Sequence, residues 1–231
     1  MIFNYMSNLE ILFTKIDYLQ NASVKKIFKS KKHTVSLIKK EGNLFVLKWY
    51  NPKFRESFFQ EYKILIDKHN FFLKPELIEN NEKFQFLILD YIPGQNVCDQ
   101  INNQNLTTEE KIEIIQKLAY WFYKFHSYYQ QKSIPLIHGD AHLRNFIITK
   151  NKNIYGLDFE ENKPGNINED IASLCASILT TNPSFTEEKK HLKYQFVKRY
   201  ETVTKYKLKY IETDIEQAVI TSIERRKNNF N

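Results

Sequence analysis

His138-Gly139-Asp140-Ala141-His142-Leu143-Arg144-Asn145-Phe146-Ile147-Ile148, followed after a turn by Ile154-Tyr155-Gly156-Leu157-Asp158-Phe159, decides how this chain is read. Asp140, Asn145 and Asp158 stand at offsets of five and thirteen residues. Phe146-Ile147-Ile148 reads as a strand, Asn151-Lys152-Asn153 turns the chain, and Ile154-Tyr155-Gly156-Leu157 returns as the partner strand. A hairpin with Asn145 at its entry and Asp158 at its exit brings two oxygen-bearing side chains to one end. Asp140 ends the short apolar run Ile134-Pro135-Leu136-Ile137 and sits on a loop ahead of that hairpin. Single Asp or Asn residues are mostly turn or cap residues. The ordered set on a strand-loop-strand background is much harder to reach by accident.

Upstream the pattern is sheet-rich. Val24-Lys25-Lys26-Ile27-Phe28, Thr34-Val35-Ser36-Leu37-Ile38 and Leu44-Phe45-Val46-Leu47-Lys48-Trp49 read as three strands, with Lys40-Glu41-Gly42-Asn43 turning between the last two. A short helix is expected over residues 9–20. A longer one is expected over residues 52–69, with Phe58, Phe59, Tyr62, Leu65 and Ile66 as its apolar stripe. Leu77-Ile78 and residues 84–89 read as strands around an Asn80-Asn81-Glu82-Lys83 turn. Downstream the pattern is helical. Thr107 with Glu110 fits a capping box, and Ile112, Ile115, Leu118, Ala119, Phe122, Phe125, His126 and Tyr129 follow helical spacing. Three further stripes follow: Ile171 to Leu179, Leu192-Phe196-Tyr200-Val203, and Ile215-Ala218-Val219-Ile223. All read as core faces. The break near Pro93-Gly94 divides the chain into lobes 1–92 and 93–231, an α+β, bilobal arrangement.

Composition bounds the reading. A chain of 231 residues with 42% hydrophobic and 15% aromatic content can bury a substantial core. No run approaches a transmembrane helix. Met1-Ile2-Phe3-Asn4-Tyr5 lacks a basic region followed by an apolar one, so it does not read as a signal peptide. Cys98 and Cys175 lie in apolar surroundings and read as buried thiols, which points to a reducing, cytoplasmic setting. Seven lysines and no acid lie between Val24 and Lys40, within a net charge of +7. Charge of that kind favours anionic partners. No zinc-finger, RNP-like or helix-turn-helix pattern accompanies it, so no specific nucleic-acid signature is present.

The spacing is the one phosphoryl transfer needs. One carboxylate, Asp140, meets an acceptor hydroxyl, while the Asn145 amide oxygen and the Asp158 carboxylate suit hard Mg²⁺ ions on nucleotide phosphates. Lys48 ends an apolar strand and can reach the phosphates while pairing with a helix Glu. Glu56 and Glu61 are the candidates. Glu61 shares a face with Phe58 and Leu65, which favours it, while Glu56 lies at the helix start, where an acid also suits the dipole.

On these residues the chain resembles the aminoglycoside phosphotransferase/choline kinase-like family of the protein-kinase-like superfamily. The resemblance is carried by His138-Gly139-Asp140 with Asn145, by Asp158-Phe159-Glu160, by Lys48 with Glu61, and by Leu89-Asp90-Tyr91-Ile92-Pro93-Gly94. It runs from about Val24 to Leu179. It implies a nucleotide-binding first lobe and a catalytic second lobe, with Asp140 as catalytic base and Asn145 and Asp158 as Mg²⁺ ligands. It further implies that Lys48 binds ATP phosphates and that Glu61 holds Lys48. Adenine would bond to backbone across Asp90, Tyr91 and Ile92, between Val46 and Ile147. Asp170 resembles the residue that braces the catalytic loop, although an acid in a first helical turn accounts for it equally.

Two departures stand out. The turn Lys29-Ser30-Lys31-Lys32-His33 has no glycine where such folds often carry a glycine-rich loop. No Ala-Pro-Glu-type segment follows Asp158. Gly139 and Glu160 stand where protein kinases usually carry Arg and Gly, which favours a small-molecule hydroxyl as acceptor. Glu160, Glu161 and Glu169 could suit an amine-bearing acceptor such as an aminoglycoside or amino alcohol, or simply form a solvated acidic loop. An atypical small protein serine/threonine kinase and a non-catalytic pseudokinase are the alternative readings.

Overall fold

The computed structural model describes residues 13–227. They fall into two compact units: residues 13–67 with 75–91, and residues 68–74 with 92–227. The helix expected over residues 9–20 begins outside the described residues; residues 13–15 are helical and Asp17–Leu19 form a 3-10 turn.

The first unit is a five-stranded antiparallel sheet of β1 (Ser23–Phe28), β2 (Thr34–Lys40), β3 (Asn43–Trp49), β4 (Leu77–Asn81) and β5 (Phe86–Asp90), in the order β1-β2-β3-β5-β4. Successive strand residues point to opposite faces. Leu47 therefore joins Ile16, Leu19, Ile38, Phe86 and Ile88 in one cluster, while its neighbour Lys48 turns to the other face. That face receives helix α1 (Arg55–Ile66), which buries Phe58, Glu61, Ile64 and Leu65. The helix expected over residues 52–69 is thus shorter. Pro52–Phe54 form a 3-10 turn capped by the Asn51 side chain, and Asp67 is extended. The turn after β4 also comes later than expected, because β4 runs through Asn80 and Asn81.

The second unit is mostly helical. A three-stranded sheet, β6 (Gly94–Asn96), β8 (Phe146–Thr149) and β9 (Ile154–Gly156), pairs in the order β6-β8-β9. A small pair joins β7 (Leu136–Ile137) to β10 (Lys163–Pro164). The helices are α2 (Val97–Ile101), α3 (Thr108–Gln131), α4 (Ile167–Thr180), α5 (Glu187–Thr204) and α6 (Ile211–Lys227). Thr107 and Glu110 close the expected capping box on α3. An aromatic core of Phe72, Trp121, Phe125, Phe146 and Phe159 lies beneath the hairpin. Among the described residues no helix is long and apolar enough to cross a membrane.

Candidate active site

The first unit prepares one cation. Lys48 is buried, and its Nζ donates to Glu61 Oε2 at 2.5 Å. The Tyr50 hydroxyl donates to the same oxygen, and Lys48 lies 5.1 Å from the centre of the Tyr50 ring. Glu61, on the inner face of α1, is therefore the acid that meets Lys48; Glu56 is exposed in the first turn. The His33 ring packs 4.6 Å from that of Tyr50, and its Nδ1 accepts from Asn51 N at 3.3 Å. This ties the end of the lysine-rich turn to the pair. No residue from Lys29 to His33 has a positive φ, so the turn needs no glycine.

Val46 pairs with Leu89 in the same sheet, and Asp90 ends β5. Asp90 N donates to Glu76 O at 3.0 Å, and Glu76 N donates back to the Asp90 carboxylate. Tyr91 closes the first unit and Ile92 opens the run of the second.

In the second unit the hairpin forms with Phe146 opposite Gly156 and Ile147 opposite Tyr155. Leu157 N donates to Asn145 O at 2.8 Å, extending the ladder by one rung. Asn145 and Asp158 consequently stand at the same end of it. Asp158 takes a left-handed backbone, φ 59°, which Asp tolerates better than most residues and which turns the chain sharply after β9. Phe159 then drops into the aromatic core, fully buried.

Asp140 is half-buried and held on two sides. Asn145 Nδ2 donates to its backbone oxygen at 2.9 Å and to its Oδ2 at 3.1 Å. His142 Nε2 lies 3.3 Å from the same Oδ2. Burial alone would raise the carboxyl, but the His142 and Asn145 contacts outweigh it and hold Asp140 down at about 2. With both amide hydrogens turned to Asp140, Asn145 keeps its Oδ1 as an acceptor atom. Together with the Asp158 carboxylate, that donor set is all oxygen and fits Mg²⁺.

The loop carrying Asp140 is clamped through its backbone. Asp170, fully buried at the start of α4, accepts from His138 N at 2.6 Å and from Gly139 N at 3.0 Å. Burial works against its charge, yet these donors and His126 lower its pKa on balance. Gly139 has φ 80°, and a Cβ there would lie 2.0 Å from the Glu161 carbonyl oxygen. Only glycine fits so close an approach. His138 is buried and kept neutral by that burial; its Nε2 donates to Leu157 O at 2.9 Å.

The three acids near the expected acceptor side have separate settings. Glu169 closes the capping box of α4 with Asn166 and pairs with Lys163. Glu160 is buried, and Glu161 is exposed.

No family model and no curated protein matches the chain. Solved structures do. The ADP-bound aminoglycoside phosphotransferase APH(2'')-Ib aligns with a TM-score of 0.64 at 15% identity, over 93% of this chain and 86% of its own. The fold is that of the aminoglycoside phosphotransferases. A putative aminoglycoside phosphotransferase from Ralstonia eutropha JMP134 aligns comparably, with a TM-score of 0.65 at 14% identity over 92% and 84% of the two chains.

Two residues of the site escaped the sequence. His126 and Tyr200 sit within apolar stripes at helical spacing and read there as core. They are buried, but each makes a polar contact toward Asp170. A polar side chain repeated within an otherwise apolar stripe was the available signal.

Proposed function

We propose that this protein is an ATP-dependent, Mg²⁺-requiring phosphotransferase whose acceptor is a hydroxyl of a small molecule. The observation that carries the reading is the Asp140 carboxylate, held by Asn145 and His142 on a loop clamped by Asp170, with Asp158 at the end of the adjoining hairpin. The aminoglycoside phosphotransferase fold supports it.

In this reading residues 1–92 bind the nucleotide and residues 93–231 bind the acceptor. Lys48, fixed by Glu61 and Tyr50, receives the phosphates of ATP. Adenine meets the backbone of Asp90, Tyr91 and Ile92, flanked by Val46 and Ile147. Asn145 and Asp158 hold Mg²⁺, which when bound neutralises charge on the transferred group. Asp140 accepts a hydrogen bond from the acceptor hydroxyl and aims its oxygen. A carboxylate held at about 2 is a weak base. That suffices where bond formation lags behind bond breaking, because the hydroxyl keeps its proton until late in a loose transition state. Asp140 thus positions first and takes the proton last. Two buried free cysteines, Cys98 and Cys175, fit a reducing cytoplasm.

The test is an acceptor screen over aminoglycosides, amino alcohols and sugars, with ATP consumption as readout. Wild-type turnover that depends on one acceptor and disappears in Asp140→Ala supports the reading. Phosphate appearing only on added protein would favour the protein-kinase alternative. Nucleotide binding without turnover on any acceptor would favour the pseudokinase.

A further inference from the structure

Three buried side chains from three helices form a continuous line that ends on the Asp140 loop. Tyr200 of α5 lies 2.8 Å from His126 Nδ1, through its hydroxyl. His126 of α3 lies 3.0 Å from Asp170 Oδ2, through its Nε2. Asp170 of α4 accepts the backbone N–H groups of His138 and Gly139. Tyr200, His126 and Asp170 are 1%, 4% and 1% exposed, so water does not compete along the line.

The donors and acceptors run in one direction. An ionised carboxylate only accepts, so His126 carries its hydrogen on Nε2. In the neutral ring Nδ1 is then an acceptor and needs a donor. Tyr200 supplies it: burial, and after it the negative Asp170, push its phenol up beyond the usual range, so the hydroxyl keeps its hydrogen. Without that hydroxyl the buried Nδ1 would lack a partner, and the opposite tautomer would turn a bare nitrogen toward the Asp170 carboxylate.

We propose that Tyr200 is a positioning residue for the catalytic loop: its hydroxyl fixes the tautomer of His126, and His126 in turn fixes the Asp170 carboxylate that holds the His138 and Gly139 amides. The proposal rests on the phosphotransferase reading for its consequence in turnover, but the geometry of the line does not. Tyr200 acts from α5, which carries none of the residues assigned to metal, nucleotide or acceptor. Removing the hydroxyl alters the loop that presents Asp140 and leaves Lys48 and Glu61 untouched.

Tyr200→Phe keeps the ring and its packing, so the folded protein can be compared directly with wild type. Two readouts separate the proposal from a packing role. In ¹⁵N spectra of the intact protein, wild-type His126 should show the Nε2–H tautomer, and the His138 and Gly139 amide protons should lie downfield, as carboxylate-bonded amides do. In Tyr200→Phe the His126 tautomer signal should broaden or split, and those two amide signals should move upfield and exchange faster. With an active acceptor in hand, kcat should fall by about tenfold, short of the ~100-fold that a 1 Å misplacement can cost, while KM for ATP stays within about twofold. Phe196→Leu, a packing change one turn away on the same helix, should lower stability without moving either amide. Unchanged His126, His138 and Gly139 signals in Tyr200→Phe, or equal shifts in Phe196→Leu, would overturn the proposal. If those signals respond while no acceptor supports turnover, the line stands and the phosphotransferase reading fails.

Discussion

In the first unit a buried carboxylate, Glu61, faces a charged side chain; in the second a buried carboxylate, Asp170, faces backbone N–H groups. Both networks end on a tyrosine hydroxyl, from Tyr50 in one and Tyr200 in the other. Histidine enters both as well: His33 packs its ring against Tyr50, and His126 relays between Tyr200 and Asp170. The components are alike and the physics differs. Lys48 and Glu61 cancel each other's charge, so the unit tolerates losing both better than losing one. Asp170 accepts from two backbone N–H groups and the His126 ring, so it fixes the course of a loop rather than the charge of a site. One arrangement holds a buried cation in place. The other holds the backbone of the loop that carries Asp140.

The largest effect should come from breaking the charge balance. Glu61→Ala leaves Lys48 buried without its carboxylate and should cost about 3–5 kcal/mol in chemical denaturation. Lys48→Met combined with Glu61→Leu should recover most of that stability while remaining inactive. If the double variant is no more stable than Glu61→Ala, the loss in Glu61→Ala does not come from the unbalanced Lys48 charge. Next in size is Asp170→Asn, which removes an ionised acceptor from the His138, Gly139 and His126 donors and should cost about 1.5–3 kcal/mol. Its effect on turnover should appear in kcat, with nucleotide affinity preserved. Smaller still are Tyr50→Phe and Tyr200→Phe, each about 1 kcal/mol. They should separate kinetically: Tyr50→Phe raises KM for ATP, and Tyr200→Phe lowers kcat. Equal kinetic signatures from the two tyrosines would remove the distinction between the networks.

The smallest effect concerns pH. The Asp140 carboxyl lies below its ordinary value in the folded protein, so its contribution is present above the unfolded pKa and disappears as pH falls toward about 2. The stability difference between wild type and Asp140→Asn should therefore be constant at neutral pH and shrink between about pH 4 and the folded value. In kcat/KM no limb from Asp140 should appear near neutrality. A limb near pH 6 that vanishes in Asp140→Asn would contradict the assigned carboxylate state.

The hairpin was readable in the sequence because local rules govern it. Strand, turn and strand bring Asn145 and Asp158 to one end through pairing alone. Lys48 and Glu61 were readable for a similar reason, since strand alternation and helix periodicity each select a face. Asp170 was ambiguous, because an acid in a first helical turn satisfies the helix dipole with no further partner. His126 and Tyr200 were not readable as polar partners. Their meeting joins side chains 74 residues apart in the chain, and burial at helical spacing looks the same for a core ring and a hydrogen-bonded one. The capping contact of Glu169 with Asn166 was hidden in an Asn-x-x-Glu pattern just ahead of an apolar run. The glycine-free turn stood out against the glycine-rich expectation until its backbone showed no positive φ.

The most direct test of the account is calorimetric titration of ATP with Mg²⁺ into wild type, Asp158→Ala and Asp140→Ala. The account predicts Mg²⁺-dependent binding in wild type, loss of that dependence in Asp158→Ala, and near-wild-type binding in Asp140→Ala with turnover abolished. Wild-type affinity for Mg·ATP in Asp158→Ala would contradict it.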